Sequence, residues 1–228
     1  MQRIQLEKDN TALKAEIKRY LGYQSAALDP QTDQLVESCL KELSCAKSGL
    51  FAYDVFPIAA KKEGILIADS GIFLTGDDIA AHLKGCKKAA VMAATLGPAV
   101  DYLIYKYNKT DLSRALVLDA CATACIEAVC DRAQAQIAQV AKKEGFQITP
   151  RFSPGYGDLP ILLQSDFLRL LRAEKRIGLT ATKESVLIPS KSVTAVIGFT
   201  SHPAAVSCTN RCGTCKNYET CLFKRRDA

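Results

Sequence analysis

The stretch Arg151-Phe152-Ser153-Pro154-Gly155-Tyr156-Gly157-Asp158-Leu159-Pro160 lies between two helical patterns and reads as an exposed connection. Its prolines hold φ near about −65° and push the residue before each out of the αR region. Gly155 and Gly157 permit positive φ and let a ligand come close to the backbone. The stiff frame presents Arg151, a planar fork for anions, Tyr156, an amphipathic ring, and Asp158, a short acceptor. Two readings fit this chemistry, a plain Pro/Gly turn and a built binding loop.

On the N-terminal side, Asp111 to Lys143 contains no Pro or Gly, and Gly145 follows as a stop. The spacing predicts one long helix, about 50 Å if unbroken. Asp119, Thr123 and Glu127 recur at i, i+4 and i+8 on one face, and Asp131 continues the row. A solvated stripe is one reading of that row, and a Glu127 facing a ligand is the other. Cys121, Cys125 and Cys130 sit in an alanine-rich run and read as packed thiols rather than metal ligands. On the C-terminal side, Leu163, Phe167, Leu170 and Leu171 predict a helix ending near Gly178. Val186 to Pro189 and Val193 to Phe199 predict two strands around Ser190-Lys191-Ser192.

Further upstream, residues 3 to 21 predict a charged helix, with Leu6, Leu13, Ile17, Tyr20 and Leu21 on one side. Asp29-Pro30 caps a second helix whose stripe is Leu35, Val36, Cys39, Leu40 and Leu43, with Cys45 just past it. Phe51, Tyr53 and Val55, then Ile65 and Ile67, then Ile72 and Leu74 predict short antiparallel strands. Gly76-Asp77-Asp78 opens a short helix, and His82 within it reads as a surface residue. Ala89 to Leu96 predicts a buried strand, and Ala99 to Tyr107 a helix.

At 228 residues and 48% apolar, the chain suits one domain with appendages, with no run long enough to span a bilayer. No signal peptide is visible, so a cytoplasmic location is expected, with no membrane partner. The net charge of +6 is mild and partly comes from Lys224, Arg225 and Arg226. No basic stripe carries interleaved aromatics, which argues against nucleic acid. There is no Gly-x-Gly-x-x-Gly after a strand and no Walker loop. The two histidines lie outside any polar cluster, so His acid–base catalysis has little support.

Ten cysteines in a reducing compartment should be thiols or metal ligands. Cys208-x₃-Cys212-x₂-Cys215-x₅-Cys221 places four of them within 14 residues of a polar tail, which packing does not explain. Only Cys212 and Cys215 form a zinc-like knuckle. The uneven spacing suits an iron–sulfur cluster, most plausibly 4Fe–4S, with zinc as the runner-up. The first three also show the radical S-adenosylmethionine spacing, but that triplet belongs near the start of a β/α barrel rather than at a chain end.

Arg-x-Ser-Pro-Gly-Tyr resembles the S-adenosylmethionine-binding loop of the activation domain of cobalamin-dependent methionine synthase. The full string from Arg151 to Pro160 is similar to the short stand-alone proteins of that family. Arg19-Tyr20-Leu21-Gly22-Tyr23, Ala94-Thr95-Leu96-Gly97 and Pro189-Ser190-Lys191-Ser192-Val193-Thr194 match in order, from about residue 19 to 203. The tail cysteines depart from the fused activation domains. The resemblance implies an α+β fold, a bent antiparallel sheet with packed helices, plus the Cys-rich C-terminal tail. It divides the chain into a helical segment (1–28), an activation-domain-like domain (29–203) and the tail (204–228).

The resemblance also implies S-adenosylmethionine held by Glu127, Arg151, Ser153, Gly155 and Tyr156. Arg151 would meet the carboxylate, Gly155 the ligand through its backbone, and Tyr156 the sulfonium or adenosine end. The implied activity is reductive reactivation of a corrinoid methyltransferase, converting cob(II)alamin to methylcobalamin on a partner of the methionine synthase type. A flavodoxin or ferredoxin is a further implied partner. Such a chain works as a methyltransferase component through positioning, without catalytic side chains. The alternative is a non-catalytic iron–sulfur or zinc module that docks on a corrinoid protein without using S-adenosylmethionine.

Overall fold

The computed structural model describes residues 11–23, 27–45, 49–201 and the single residue 219. The chain runs α1 (Thr11–Tyr20), α2 (Pro30–Cys45), β1 (Leu50–Lys61), β2 (Gly64–Ile67), β3 (Ile72–Leu74), α3 (Asp77–His82) and β4 (Lys88–Thr95). It continues with α4 (Pro98–Thr110), α5 (Leu112–Lys143), β5 (Gln147–Ile148), α6 (Leu163–Leu171), α7 (Ala173–Ile177), β6 (Thr180–Ala181), β7 (Leu187–Ile188) and β8 (Ser192–Thr200). Six strands form one antiparallel sheet in the order β3-β2-β1-β4-β8-β5, and β6 and β7 form a separate pair. The architecture is the expected mixture of helices and antiparallel sheet.

The centre of the sheet is buried on both faces, which explains the uninterrupted apolar run of β4. Ala90, Met92 and Ala94 point into one core, and Ala89, Val91 and Ala93 into the other. The period of two in a strand sends neighbours to opposite faces. The first core takes buried residues of α1, α2, α4 and α5, and the second those of α3, α6 and α7. The ladder of β1 changes partner at Pro57, the last residue paired with β4, after which Ile58 to Lys61 pair with β2. A residue without an N–H suits that handover.

Asp29 caps α2 as its sequence predicts, accepting from the Thr32 N–H at 3.0 Å and the Thr32 hydroxyl at 2.6 Å. Asp111 does the same for α5, accepting from the Arg114 N–H at 3.0 Å. Leu13 and Ile17 of α1 lie buried in the first core. Among the described residues, no helix is long and apolar enough to cross a membrane.

One expectation is corrected here. The single helix from Leu163 to Gly178 is two helices, broken at Arg172, which is left-handed at φ 51°. Leu171 and Ala173 are both fully buried. In one continuous helix they would lie about 200° apart, so they could not both face the sheet. The left-handed residue re-aims the chain between them. The two strands around Ser190-Lys191-Ser192 form as expected: β7 pairs with β6, and β8 joins the large sheet. The two-residue strands β5 and β6 are too short to show any alternation.

Candidate functional site

The loop after β5 is stitched to β8 as a continuation of the sheet edge. The Thr149 N–H donates to the Gly198 carbonyl at 2.9 Å. Phe152 and Val196 then exchange backbone bonds at 2.9 and 2.8 Å. With extended backbone on either side, Phe152 packs against the second core while Arg151 turns to the opposite face and α5.

There Arg151 meets three partners. Its Nη1 donates to Asp131 Oδ1 at 2.7 Å and Gln134 Oε1 at 3.2 Å, and its Nη2 to Glu127 Oε2 at 3.0 Å. The Arg151 side chain is 13% exposed, against 41% for Glu127 and 69% for Asp131. Burial pulls the guanidinium pKa down, but Cys130, Asp131 and Glu127 outweigh it and hold the pKa above its ordinary value. Burial pushes the nearby Cys130 thiol up to about 12, which keeps it protonated and unreactive. The other half of the α5 row is covered as well. Lys191 Nζ meets Asp119 Oδ1 at 2.8 Å and donates to Thr123 Oγ1 at 2.9 Å. The row is thus both solvated and paired: its carboxylates are 41–69% exposed, and cations from two distant segments meet them.

Tyr156 is 51% exposed and stands edge-on to Phe152, with centroids 5.7 Å apart. Phe152 in turn rests on the His82 ring at 5.0 Å. His82 Nε2 lies 2.9 Å from both the Pro150 carbonyl and Thr149 Oγ1. The reading of His82 as a surface residue is corrected: it is half-buried beneath the loop entrance. An isolated histidine gives no sequence signal for a partner some 68 residues away.

Asp158 is used within the fold. Its carboxylate accepts from the N–H of Asp77 at 2.5 Å and of Asp78 at 3.1 Å, capping α3. The Asp78 and Asp77 backbone bonds lower its pKa. A Cβ on Gly76 would collide with that same carboxylate. Gly155 sits at φ 85°, donates its N–H to the Leu159 carbonyl at 2.8 Å, and would meet Ile161 Cδ1 at 2.8 Å if it carried a Cβ. The loop's own packing therefore already requires glycine there. The Ser153 carbonyl accepts from the Tyr156 N–H at 3.0 Å.

The fold thus brings Arg151 and Glu127 into direct contact and ties Tyr156 to Phe152. Asp131, Gln134, Phe152 and His82 are contributors that sequence reasoning did not single out as site residues. Only the acidic row gave a signal for any of them. Cys208, Cys212, Cys215 and Cys221 lie outside the described residues, among which no group of three or more His, Cys, Asp or Glu could hold a metal ion. One guanidinium against two carboxylates leaves a surplus negative charge. That set suits a ligand carrying a carboxylate together with more than one positive charge.

No protein-family model matches this chain, and no curated protein matches it. Among solved structures it is similar to the MetH reactivation domain bound to AdoHcy, with a TM-score of 0.63 and 16% identity, over 91% of this chain and 81% of that one. The likeness is one of fold.

Proposed function

We propose that this chain binds S-adenosylmethionine at Arg151, Glu127 and Tyr156, and that it serves the reductive reactivation of a cobalamin-dependent methyltransferase of the methionine synthase type. The observation that carries this reading is the Arg151 fork held against Glu127 and Asp131 at the root of the Arg-x-Ser-Pro-Gly-Tyr loop. The similar fold of a domain that binds AdoHcy supports it. S-Adenosylmethionine carries a carboxylate, an ammonium and a sulfonium, so its net charge complements the site's. Arg151 would take the carboxylate and Glu127 the ammonium, each exchanging part of its present partner. The exposed face of Tyr156 would lie against the sulfonium or adenosine end. Ser153 and Gly155 would border the ligand through their backbone.

When bound, S-adenosylmethionine would supply the methyl group which, with one electron, returns a partner's cob(II)alamin to methylcobalamin, leaving S-adenosylhomocysteine. The side chains of this protein hold and orient; none needs to exchange a proton. The donor set of Cys208, Cys212, Cys215 and Cys221 fits an iron–sulfur cluster, 4Fe–4S ahead of zinc, as the electron source, with a flavodoxin or ferredoxin upstream. The corrinoid would be carried by a methyltransferase of the methionine synthase type.

Calorimetry of the anaerobically purified protein tests the reading. S-Adenosylmethionine should bind, and Arg151→Ala should cost on the order of 2 kcal/mol through loss of a charge-assisted bond. Equal affinity in the variant would remove the assignment. Iron and sulfide analysis of Cys212→Ser addresses the tail, where stoichiometric zinc in the parent protein would end the redox role.

A further inference from the structure

A cavity of about 470 Å³ opens beside α6, α7 and β6, and none of its lining residues belongs to the Arg151–Pro160 loop. Its volume falls in the range of small-molecule sites. Leu168, 6% exposed, contributes its apolar floor, with the fully buried Leu179 behind it. Arg169, Arg172 and Lys175 contribute cations, against one acid, Glu174. Arg169 is committed to Asp166, 2.6 Å away. The side chains of Arg172 and Lys175 have no hydrogen-bond or ion-pair partner among the described residues.

Arg172 is also the left-handed residue between the two helices. Glycine or asparagine adopts that conformation most cheaply, and strained non-glycine residues cluster at ligand clamps. The chain places an arginine there, and both Arg172 and Lys175 line the cavity. Two uncommitted cations on one cavity wall suit a dianion with several acceptor oxygens better than a single carboxylate. The apolar floor calls for a ring or other hydrophobic body on the same molecule.

We propose that this cavity is a second binding site, separate from the loop, for an aromatic phosphate monoester whose ring lies against Leu168 and whose phosphate meets Arg172 and Lys175.

Fluorescence titration of the full chain with 1-naphthyl phosphate tests this, with 1-naphthol and inorganic phosphate as comparison probes. Saturable binding is expected, at least about tenfold tighter than either comparison probe. It should weaken by about tenfold or more in the double variant Arg172→Asn/Lys175→Gln, where asparagine tolerates the left-handed backbone. Arg151→Ala should leave it unchanged. Lys175→Glu, a change at an exposed position, gives the same reading if the double variant fails to fold. Undiminished affinity in the charge variants, no preference over the comparison probes, or equal loss in Arg151→Ala would each overturn the proposal.

Discussion

At the scale of single residues, Arg151 is decided by what it touches on α5. Glu127 and Asp131 neutralise it and leave one carboxylate in excess. Glu127→Gln removes that excess. Binding of S-adenosylmethionine should weaken more than binding of S-adenosylhomocysteine, which lacks the sulfonium charge, as competitive calorimetry would show. Because Glu127 is 41% exposed, thermal stability should move by less than about 0.5 kcal/mol. Asp158 gives a pH signature. Its folded pKa is lowered, so the stability it contributes is present above the ordinary carboxyl range and disappears as pH falls through the folded value. The gap in melting temperature between the parent and Asp158→Ala should therefore hold from neutrality to about pH 5 and close below about pH 4. A gap that persists unchanged in acid would show that the capping charge is not responsible.

At the scale of elements, α5 is the spine of the first core. It buries fourteen residues along 32, many of them Ala or Cys. Small side chains let the sheet and the other helices approach closely, so the packing has little slack. Ala122, fully buried, is such a contact, and Ala122→Leu should cost about 1–3 kcal/mol by overpacking, measurable by urea denaturation. A neutral substitution would mean a looser core than the buried areas indicate. The loop's own prolines stiffen it, and other elements anchor it further: β8 through two backbone bonds, α3 through Asp158, and His82 through Phe152.

At the scale of the whole molecule, β4 and β8 each feed both cores, so neither helical layer can come away without exposing the sheet they share. Heat should unfold both layers in one transition. The chain has eight Tyr and no Trp, so far-ultraviolet circular dichroism and tyrosine fluorescence follow backbone and packing separately. Their melting curves should coincide, and separated midpoints would show that the two layers unfold independently.

The sequence by itself determined the long Pro- and Gly-free helix, the doubly buried strand Ala89 to Leu96, the helix starts at Asp29 and Asp111, and the rigid Arg151–Pro160 loop. Each is a local signal, carried by periodicity, by a cap or by the φ restrictions of Pro and Gly. Only the tertiary structure decided that Arg151 meets Glu127 and Asp131, that Lys191 covers Asp119, that Asp158 caps α3, and that His82 supports the loop. It also decided the break at Arg172, where two buried neighbours must face the same sheet. Those outcomes depend on contacts between segments as much as 81 residues apart, such as Asp158 with Asp77. Local spacing shows which side chains share a face, but only the packed sheet brings the opposite charge to that face.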